Sequence, residues 1–411
     1  MCSLSRKDKS MLEINAARLL ADLDALAAIG QTPDGGVTRT ALSAADRAGR
    51  AWFRQRVIDA GLQFHEDGAG NLSAILGDVG RLILTGSHLD TVPNGGRYDG
   101  ALGVLCALEA LRTLREAQIA LPVRLEAISF TDEEGSVVGM MGSRALVGNL
   151  TPDDLAPARS TLNDAGIPPE SILAAGRDPD DYLAFIELHI EQGTRLEHAG
   201  IDIGVVTNIV GIRDYWLVFD GQANHSGTTP MDQRADALWG AAAFVEGARD
   251  LVMNRFSPGV VNCGNLTISP GAHNIVPGQA RLALEFRHGT RKQLDEMETA
   301  LFTLARQVAD QRKLRLSIET LGHVEPAELD THVITTIEKA ADTLDLSHTR
   351  LMSFAGHDTQ NISRFTPSGM FFVPSVNGLS HNPDEFTLPQ DVINGANVLL
   401  HALLELSQSM S

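Results

Sequence analysis

Cysteine, positive charge and long apolar runs are all in short supply in this 411-residue sequence, and each shortage excludes something. The three cysteines, Cys2, Cys106 and Cys263, lie far apart with no CxxC pair. That rules against a disulfide framework and a thiolate zinc site, and a reducing cytoplasm fits. No segment approaches the roughly 20 uninterrupted apolar residues that a membrane-spanning helix needs. The N-terminal stretch MCSLSRKDKSMLEINAARLL carries basic residues without an apolar run and small-residue cleavage site, so it reads as a short tail leading into a helix. A soluble protein is expected. Lysine and arginine number 33 against 52 aspartates and glutamates, a formal net charge of −19. A phosphate backbone or an anionic membrane would need a basic patch, so nucleic acid and membrane are excluded as main partners. An anionic substrate must be met by locally placed cations.

What is present is enough for a large core. With 43% hydrophobic and 21% charged residues, the chain is expected to fold as two domains. Apolar positions at helical spacing over residues 11–30 and 44–60, the latter opened by the cap Ser43, predict helices. Strand-like segments follow at Leu72–Leu76 and Arg81–Thr85, the second running into GSHLDTV; a helix after Gly103 and the strand VRLEAISF ending in TDEEG come next. Polar clusters at the strand C-termini of an alternating α/β pattern place the active site along that edge. From Gly211 the pattern changes. IRDYWLVFDG, NLTISPG, QARLALEFRH and LRLSIETLG are strand candidates, with helices near 236–254 and 291–313, which gives a βαββαβ order. The fold class is therefore α/β. A discontinuous catalytic domain, residues 1–208 and 324–411, is interrupted at 209–323 by an α+β domain with a four-stranded antiparallel sheet and two helices, of ferredoxin-like type. There is no internal repeat or low-complexity tract.

The chemistry concentrates in His88, Asp90, Asp99, Glu133, Glu134, His189 and His381, nearly all at strand ends or in glycine-flanked loops. Imidazole and carboxylate without thiolate suit zinc, manganese or cobalt. In GSHLDT, His88 and Asp90 are two apart and share one side of an extended backbone, so Asp90 is expected to hold the His88 ring through its carboxylate. Asp99, in NGGRYDGALG, is placed to bridge two ions about 3.5–4 Å apart. Adjacent Glu133 and Glu134 face opposite ways if extended, which lets one bind metal while the other serves as base. A lone His or Asp in a loop is usually structural, and adjacent glutamates are ordinary on helix surfaces. Here EEG follows the apolar strand LEAISF, and the joint pattern favours function. His65, His198, His323, His332, His348 and His401 read as surface or core residues, while His273, His288 and His357 stay open.

Taken in order, GSHLDTVPNGGRYDGALGV, FTDEEG, ELHIEQG, NHSGTTPMDQRADA, HNIVPG, AGHDTQN and FVPSVNGLSHNPDE resemble the amidase, hydantoinase/carbamoylase family of the two-zinc aminoacylase and carboxypeptidase superfamily. That family includes N-carbamoyl-L-amino acid hydrolases, β-ureidopropionases and allantoate amidohydrolases. The resemblance implies two divalent ions, one held by His88, Asp99 and His189 and the other by Asp99, Glu134 and His381. It implies Glu133 as general base, Asp90 as the residue orienting His88, and His225 as the group that polarises the scissile carbonyl. Asn274 and Arg287 match substrate-binding positions, Arg287 offering two parallel donors to a carboxylate; on its own residues Arg287 reads as a strand salt bridge. Relatives use the second domain as a lid and for dimerisation, so a homodimer is expected.

Two departures bear on substrate. Val210 and Ile212 flank Gly211 where several members carry glutamine on one side, and EEGSVVG lacks the Arg-Phe that often follows EEG, which weakens the case for allantoate. The expected activity is metal-dependent hydrolysis of the ureido C–N bond of an N-carbamoyl-L-amino acid or related small carboxylate, giving amino acid, ammonia and carbon dioxide. Allantoate amidohydrolase or β-ureidopropionase is the alternative, and N-acyl-amino acid deacylase or dipeptidase a further one. A binding protein that lost the chemistry would show a gap among ligands and base, and there is none.

Overall fold

The computed structural model describes residues 12–410; the tail expected over the first eleven residues and Cys2 lie outside them. The described residues form two compact units, 12–207, 329–351 and 356–410 in one, and 208–328 with 352–355 in the other. The borders read from sequence, 208/209 and 323/324, shift because the chain does not leave the insertion at the end of its last long strand. Ala327 and Glu328 still pair with Ile209 and Asn208, and only at Leu329 does the backbone N–H reach back to the Thr207 carbonyl. The stretch 352–355 joins the second unit since Val210 N–H donates to Ser353 O, and Arg287 Nη1 to Phe354 O.

The first unit is built on β1 (Gln63–Glu66), β2 (Leu72–Leu76), β3 (Leu82–His88), β4 (Arg124–Phe130), β5 (Tyr182–Ile190), β6 (Ile203–Ile209), β14 (His348–Ser353) and β15 (Ser368–Val373). The order is β1-β2-β4-β3-β5-β15-β6, with β14 also paired to β6. The central four, β4-β3-β5-β15, are parallel. Their residues are buried almost without interruption, as expected of strands covered on both faces. The strand expected to end at Thr85 runs on through His88, because Gly86, Ser87 and His88 continue the ladder beside Ile128, Ser129 and Phe130.

Among helices of twelve residues or more, α1 (Ala16–Ala27), α2 (Ala44–Asp59), α3 (Ala101–Glu116), α6 (Thr331–Thr343) and α7 (Pro389–Ser409) belong to this unit. Asn15 and Ser43 cap α1 and α2 by accepting the Arg18 and Asp46 amides, and α2 opens where Ser43 predicts it. Helix α3 is buried from Ala101 through Leu114, so its charged members need partners. Glu109 takes Arg18 at 2.8 Å, and Arg112 takes Asp22 at 2.6 Å, which fastens α1 to α3. A set of short helices between Met141 and Leu173 carries its own apolar cluster around Met141, Leu155, Leu162 and Ile172.

The second unit holds β7 (Gly211–Asp220), β8 (Asn224–His225), β9 (Val260–Ser269), β10 (Ile275–Val276), β11 (Gln279–His288), β12 (Arg315–Val324) and β13 (Ala327–Glu328). Its main sheet orders as β12-β7-β11-β9, antiparallel throughout. Helices α4 (Ala237–Arg255) and α5 (Arg291–Gln311) pack on it. β11 alternates buried and open positions, the pattern of a sheet with one covered face. Tyr215, Leu217, Phe219, Leu282, Leu284 and Phe286 from the sheet meet Phe244, Met297 and Leu301 from the helices in a core wholly internal to this unit. Among the described residues no helix is long and apolar enough to cross a membrane.

Candidate metal centre

The parallel strands all deliver their C-terminal ends to one edge, and the chemistry sits there. His88 is the last residue of β3, and Glu133 and Glu134 follow β4. His189 is the penultimate residue of β5, and His381 lies in the loop after β15. Asp99 precedes α3 by one glycine. That glycine has a structural reason: Gly100 has φ +63°, and a Cβ there would stand 2.4 Å from the His88 ring.

Donor atoms of His88, Asp99 and His189 lie within 4.8 Å of one another, as do those of Asp99, Glu134 and His381, and those of His88, Glu133 and Glu134. Asp99 is common to the first two of these groups. Its Oδ1 stands 3.1 Å from His189 Nε2 and 3.6 Å from His88 Nε2, while its Oδ2 stands 3.4 Å from His381 Nε2. One oxygen thus faces each imidazole group, the disposition of a bridging carboxylate. His381 Nε2 is also 3.3 Å from Glu134 Oε2, and Glu133 Oε2 is 3.6 Å from His88 Nε2. The far nitrogens of two rings are fixed by the backbone, His88 Nδ1 at 3.0 Å from Asp90 O and His189 Nδ1 at 3.0 Å from Ile190 O. Those contacts leave Nε2 of each ring turned to the cluster.

Asp90 differs from its expected role. The His88 ring meets the peptide oxygen of Asp90, not its carboxylate, whose Oδ1 is 3.8 Å away. The carboxylate instead accepts the amides of Glu133 at 3.4 Å and Glu134 at 3.2 Å, so Asp90 holds the loop that carries both glutamates. Spacing alone puts a carboxylate on the same side as the ring, but the adjacent β4 loop supplies two unpaired amides that bind it better. Asp132 braces the same loop: at φ +57°, a conformation Asp tolerates better than most residues, its carboxylate accepts the Val137, Val138 and Gly139 amides.

Electrostatics mark the cluster as a cation site. Asp99 is buried, which opposes its charge, yet the hydrogen bonds to His189, His381 and His88 hold it well below the usual carboxylate range. Burial likewise opposes a charge on His88, but Glu133, Asp99, Asp90 and Glu134 raise it well above an ordinary imidazole. Hydrogen bonds to Asp99 and Glu134 push His381 up to about 10. Burial pushes Glu133 well above the carboxylate range, with Asp358, Glu134 and Asp90 adding to the effect. The carboxylates thus favour positive charge at this spot, and Glu134 Oε1 is buried with no hydrogen-bond partner. An imidazole and carboxylate donor set of this kind fits divalent zinc, manganese or cobalt.

The remaining candidates lie on the second unit. β8 pairs with β10, His225 opposite Ile275, and Ser226 N–H donates to Asn274 O at 3.0 Å, so His225 and Asn274 are neighbours. His225 Nδ1 accepts the Gly227 and Thr228 amides at 3.1 and 3.3 Å. The ring proton is thereby assigned to Nε2, which is exposed as a donor. Arg287 donates through Nε to Glu285 at 2.7 Å and through Nη1 to the Phe354 carbonyl at 2.8 Å. Of the open histidines, His357 packs edge-on to the His189 ring at 4.6 Å; burial and the neighbouring His189 drive it well below an ordinary imidazole. His288 is buried on β11, and His273 is exposed.

Sequence reasoning missed three residues around Asp99. Gln192 Nε2 donates to Asp99 Oδ2 at 2.9 Å, Ser380 Oγ to the same oxygen at 2.7 Å, and Glu385 accepts the Asp99 amide at 3.0 Å. Each sits within a few residues of a ligand motif, in HIEQG or GLSHNPDE, and that adjacency was the available signal.

Imidazoles and carboxylates gathered at the carboxyl edge of a parallel sheet define a metal-dependent hydrolase. The model of the peptidase family M20/M25/M40 matches residues 84–405. The N-carbamoyl-L-amino acid amidohydrolase of Geobacillus stearothermophilus is 35% identical over 96% of this chain and 99% of its own. The allantoate amidohydrolase of Bacillus subtilis (strain 168) is 33% identical over 93% and 95%. A solved amidase of the hydantoinase/carbamoylase family from Burkholderia multivorans superposes with a TM-score of 0.88 at 33% identity, covering 97% of this chain and 100% of that one. The chain belongs to peptidase family M20/M25/M40, among its hydantoinase/carbamoylase amidases, and is a metal-dependent amidohydrolase.

Proposed function

We propose that the enzyme hydrolyses the ureido bond of an N-carbamoyl-L-amino acid or a close ureido acid, releasing the amino acid, ammonia and carbon dioxide. The observation that carries this reading is the convergence of His88, Asp99, Glu134, His189 and His381 with Glu133 beside them, in a chain similar along its length to an N-carbamoyl-L-amino acid amidohydrolase. His88, Asp99 and His189 would hold one divalent ion, and Asp99, Glu134 and His381 a second. When bound, such ions polarise a carbonyl and lower the pKa of water. Glu133 takes the proton of the attacking water and returns it to the leaving nitrogen, a task suited to a carboxyl whose affinity for protons burial has raised. Asp90 sets the position of Glu133 through its amide. His225, with its proton on Nε2, donates to the carbonyl oxygen as charge develops there. Asn274 and Arg287 receive the substrate carboxylate, Arg287 with the part of its guanidinium that Glu285 and Phe354 do not engage.

The second unit serves as a lid and dimerisation domain, and its strand order supports the ferredoxin-like part of that reading. The enzyme is a cytoplasmic homodimer, in keeping with the free thiols of Cys106 and Cys263. Val210 and Ile212 in place of glutamine, and the lack of Arg-Phe after EEG in EEGSVVG, favour a less polar substrate than allantoate.

The test is amine release from N-carbamoyl-L-amino acids, N-carbamoyl-β-alanine, allantoate and N-acetyl-amino acids, using enzyme stripped by chelator and reloaded with manganese, cobalt or zinc. Metal-dependent turnover of the N-carbamoyl-L-amino acids is expected. Turnover confined to the N-acetyl compounds would move the protein to the deacylases.

A further inference from the structure

We infer that Glu385 is a positioning residue that ties together the two loops bearing Asp99 and His381 and so sets the metal affinity of the centre. The inference rests on the metal-site reading above and extends it to a residue outside the donor set. One oxygen of Glu385, Oε1, accepts the backbone amides of Tyr98 at 2.8 Å and Asp99 at 3.0 Å. The other, Oε2, faces Ser380 Oγ at 3.0 Å, and that hydroxyl reaches Asp99 Oδ2 at 2.7 Å. A single buried side chain therefore contacts the backbone of one ligand loop and the side chain preceding His381 in the other.

The surroundings are shaped for it. A Cβ on Gly96 would lie 1.9 Å from the Glu385 carboxyl carbon, so the Asp99 loop approaches the carboxyl as only glycine permits. The turn that presents Glu385 is closed by its own amide to Asn382 O at 3.0 Å, and the Tyr98 and Phe386 rings meet edge-on at 6.0 Å alongside. Asp99 is the carboxylate common to both donor groups, and His381 is the donor most open to solvent, with half of its side chain exposed. Neither is placed by strand geometry as His88 and His189 are; both sit on loops that Glu385 holds. Glutamine would keep an acceptor for the two amides and supply a donor to Ser380, whereas alanine leaves the amides without a partner.

The experiment is calorimetric titration of Mn²⁺ into metal-stripped full-length parent, Glu385→Ala, Glu385→Gln and Ser380→Ala, with melting temperatures taken with and without the ion. Glu385→Ala is expected to weaken Mn²⁺ binding about tenfold to a hundredfold and to shrink the gap between metal-free and loaded melting temperatures, while Glu385→Gln restores affinity to within about threefold of the parent. A purely structural role would lower both melting temperatures alike and leave the dissociation constant unchanged, and that result overturns the inference. Should Glu385→Ala fail to fold, Ser380→Ala decides: weaker binding supports the tie, and parental affinity refutes it. If the parent itself takes up no Mn²⁺, Zn²⁺ or Co²⁺, the metal-site reading and this inference fall together; a parent that binds and a Glu385→Ala that binds equally well sink this inference alone.

Discussion

Asp90 and Glu133 show how a residue's neighbours decide its task. Since Asp90 holds the Glu133 and Glu134 amides, Asp90→Asn puts an N–H2 group against one of two N–H donors. Activity is expected to fall about 10- to 100-fold, with much less change in Mn²⁺ affinity than substitution of His88 would cause. Glu133→Gln should cost more, roughly 10²–10⁴-fold in kcat, while loaded protein still carries its metal by atomic absorption. The raised imidazoles give a pH prediction. His88, His189 and His381 all favour the protonated form in the metal-free protein, and a proton on Nε2 excludes a cation. Binding must release protons, so apparent Mn²⁺ affinity rises with pH from the ordinary imidazole range up toward about 10, the value to which His381 is pushed. Titrations in buffers of different ionisation enthalpy check this, and a pH-independent affinity with no proton release would contradict it. His88, Asp99, Glu133, Glu134, His189 and His381 were legible as candidates because nearly all of them stand close to glycine or to the end of an apolar strand. Glu385 was missed although it stands four residues after His381, since only the fold shows that it accepts the Asp99 amide.

At the level of elements, the strands and helices read from period and caps formed with differences at their ends, whereas β5 and β6, which carry little alternation, were not read from the sequence. β3 gained three residues from pairing with β4, and the helix predicted at 236–254 begins one residue later because Asp236 is its cap, accepting the Leu238 and Trp239 amides. The short helices between Met141 and Leu173 escaped, since four to six residues are too few to show a helical period and their stability comes from a shared cluster. The junction before α3 is a tight joint. Gly100→Ala places a Cβ against the His88 ring at a positive φ, and it should destabilise the metal-free protein by about 1–3 kcal/mol in urea unfolding. Because the ring must also move, Mn²⁺ uptake should drop with it; an unchanged midpoint and unchanged uptake would show that the joint has slack.

The whole molecule divides more cleanly in space than along the chain. The second unit's core draws every member from residues 215–314, so a fragment spanning 208–328 is expected to unfold cooperatively on its own, somewhat less stable for lack of the 352–355 segment that Val210 and Arg287 bind. Circular dichroism followed through a urea gradient tests this, and a featureless spectrum would show that the core depends on the rest of the chain. The discontinuity was readable because the α/β pattern resumes after the insertion; the four residues 352–355 were not, as nothing local marks a return.

The insertion also leaves and re-enters the first unit at adjacent points, with the Leu329 amide bonded to the Thr207 carbonyl at 3.0 Å. Both ends are thus anchored on neighbouring backbone, and all the proposed metal donors lie outside the excursion. Residues 208–328 are therefore exchangeable as a block that carries none of the proposed metal donors, with two splice points and the 352–355 segment to match.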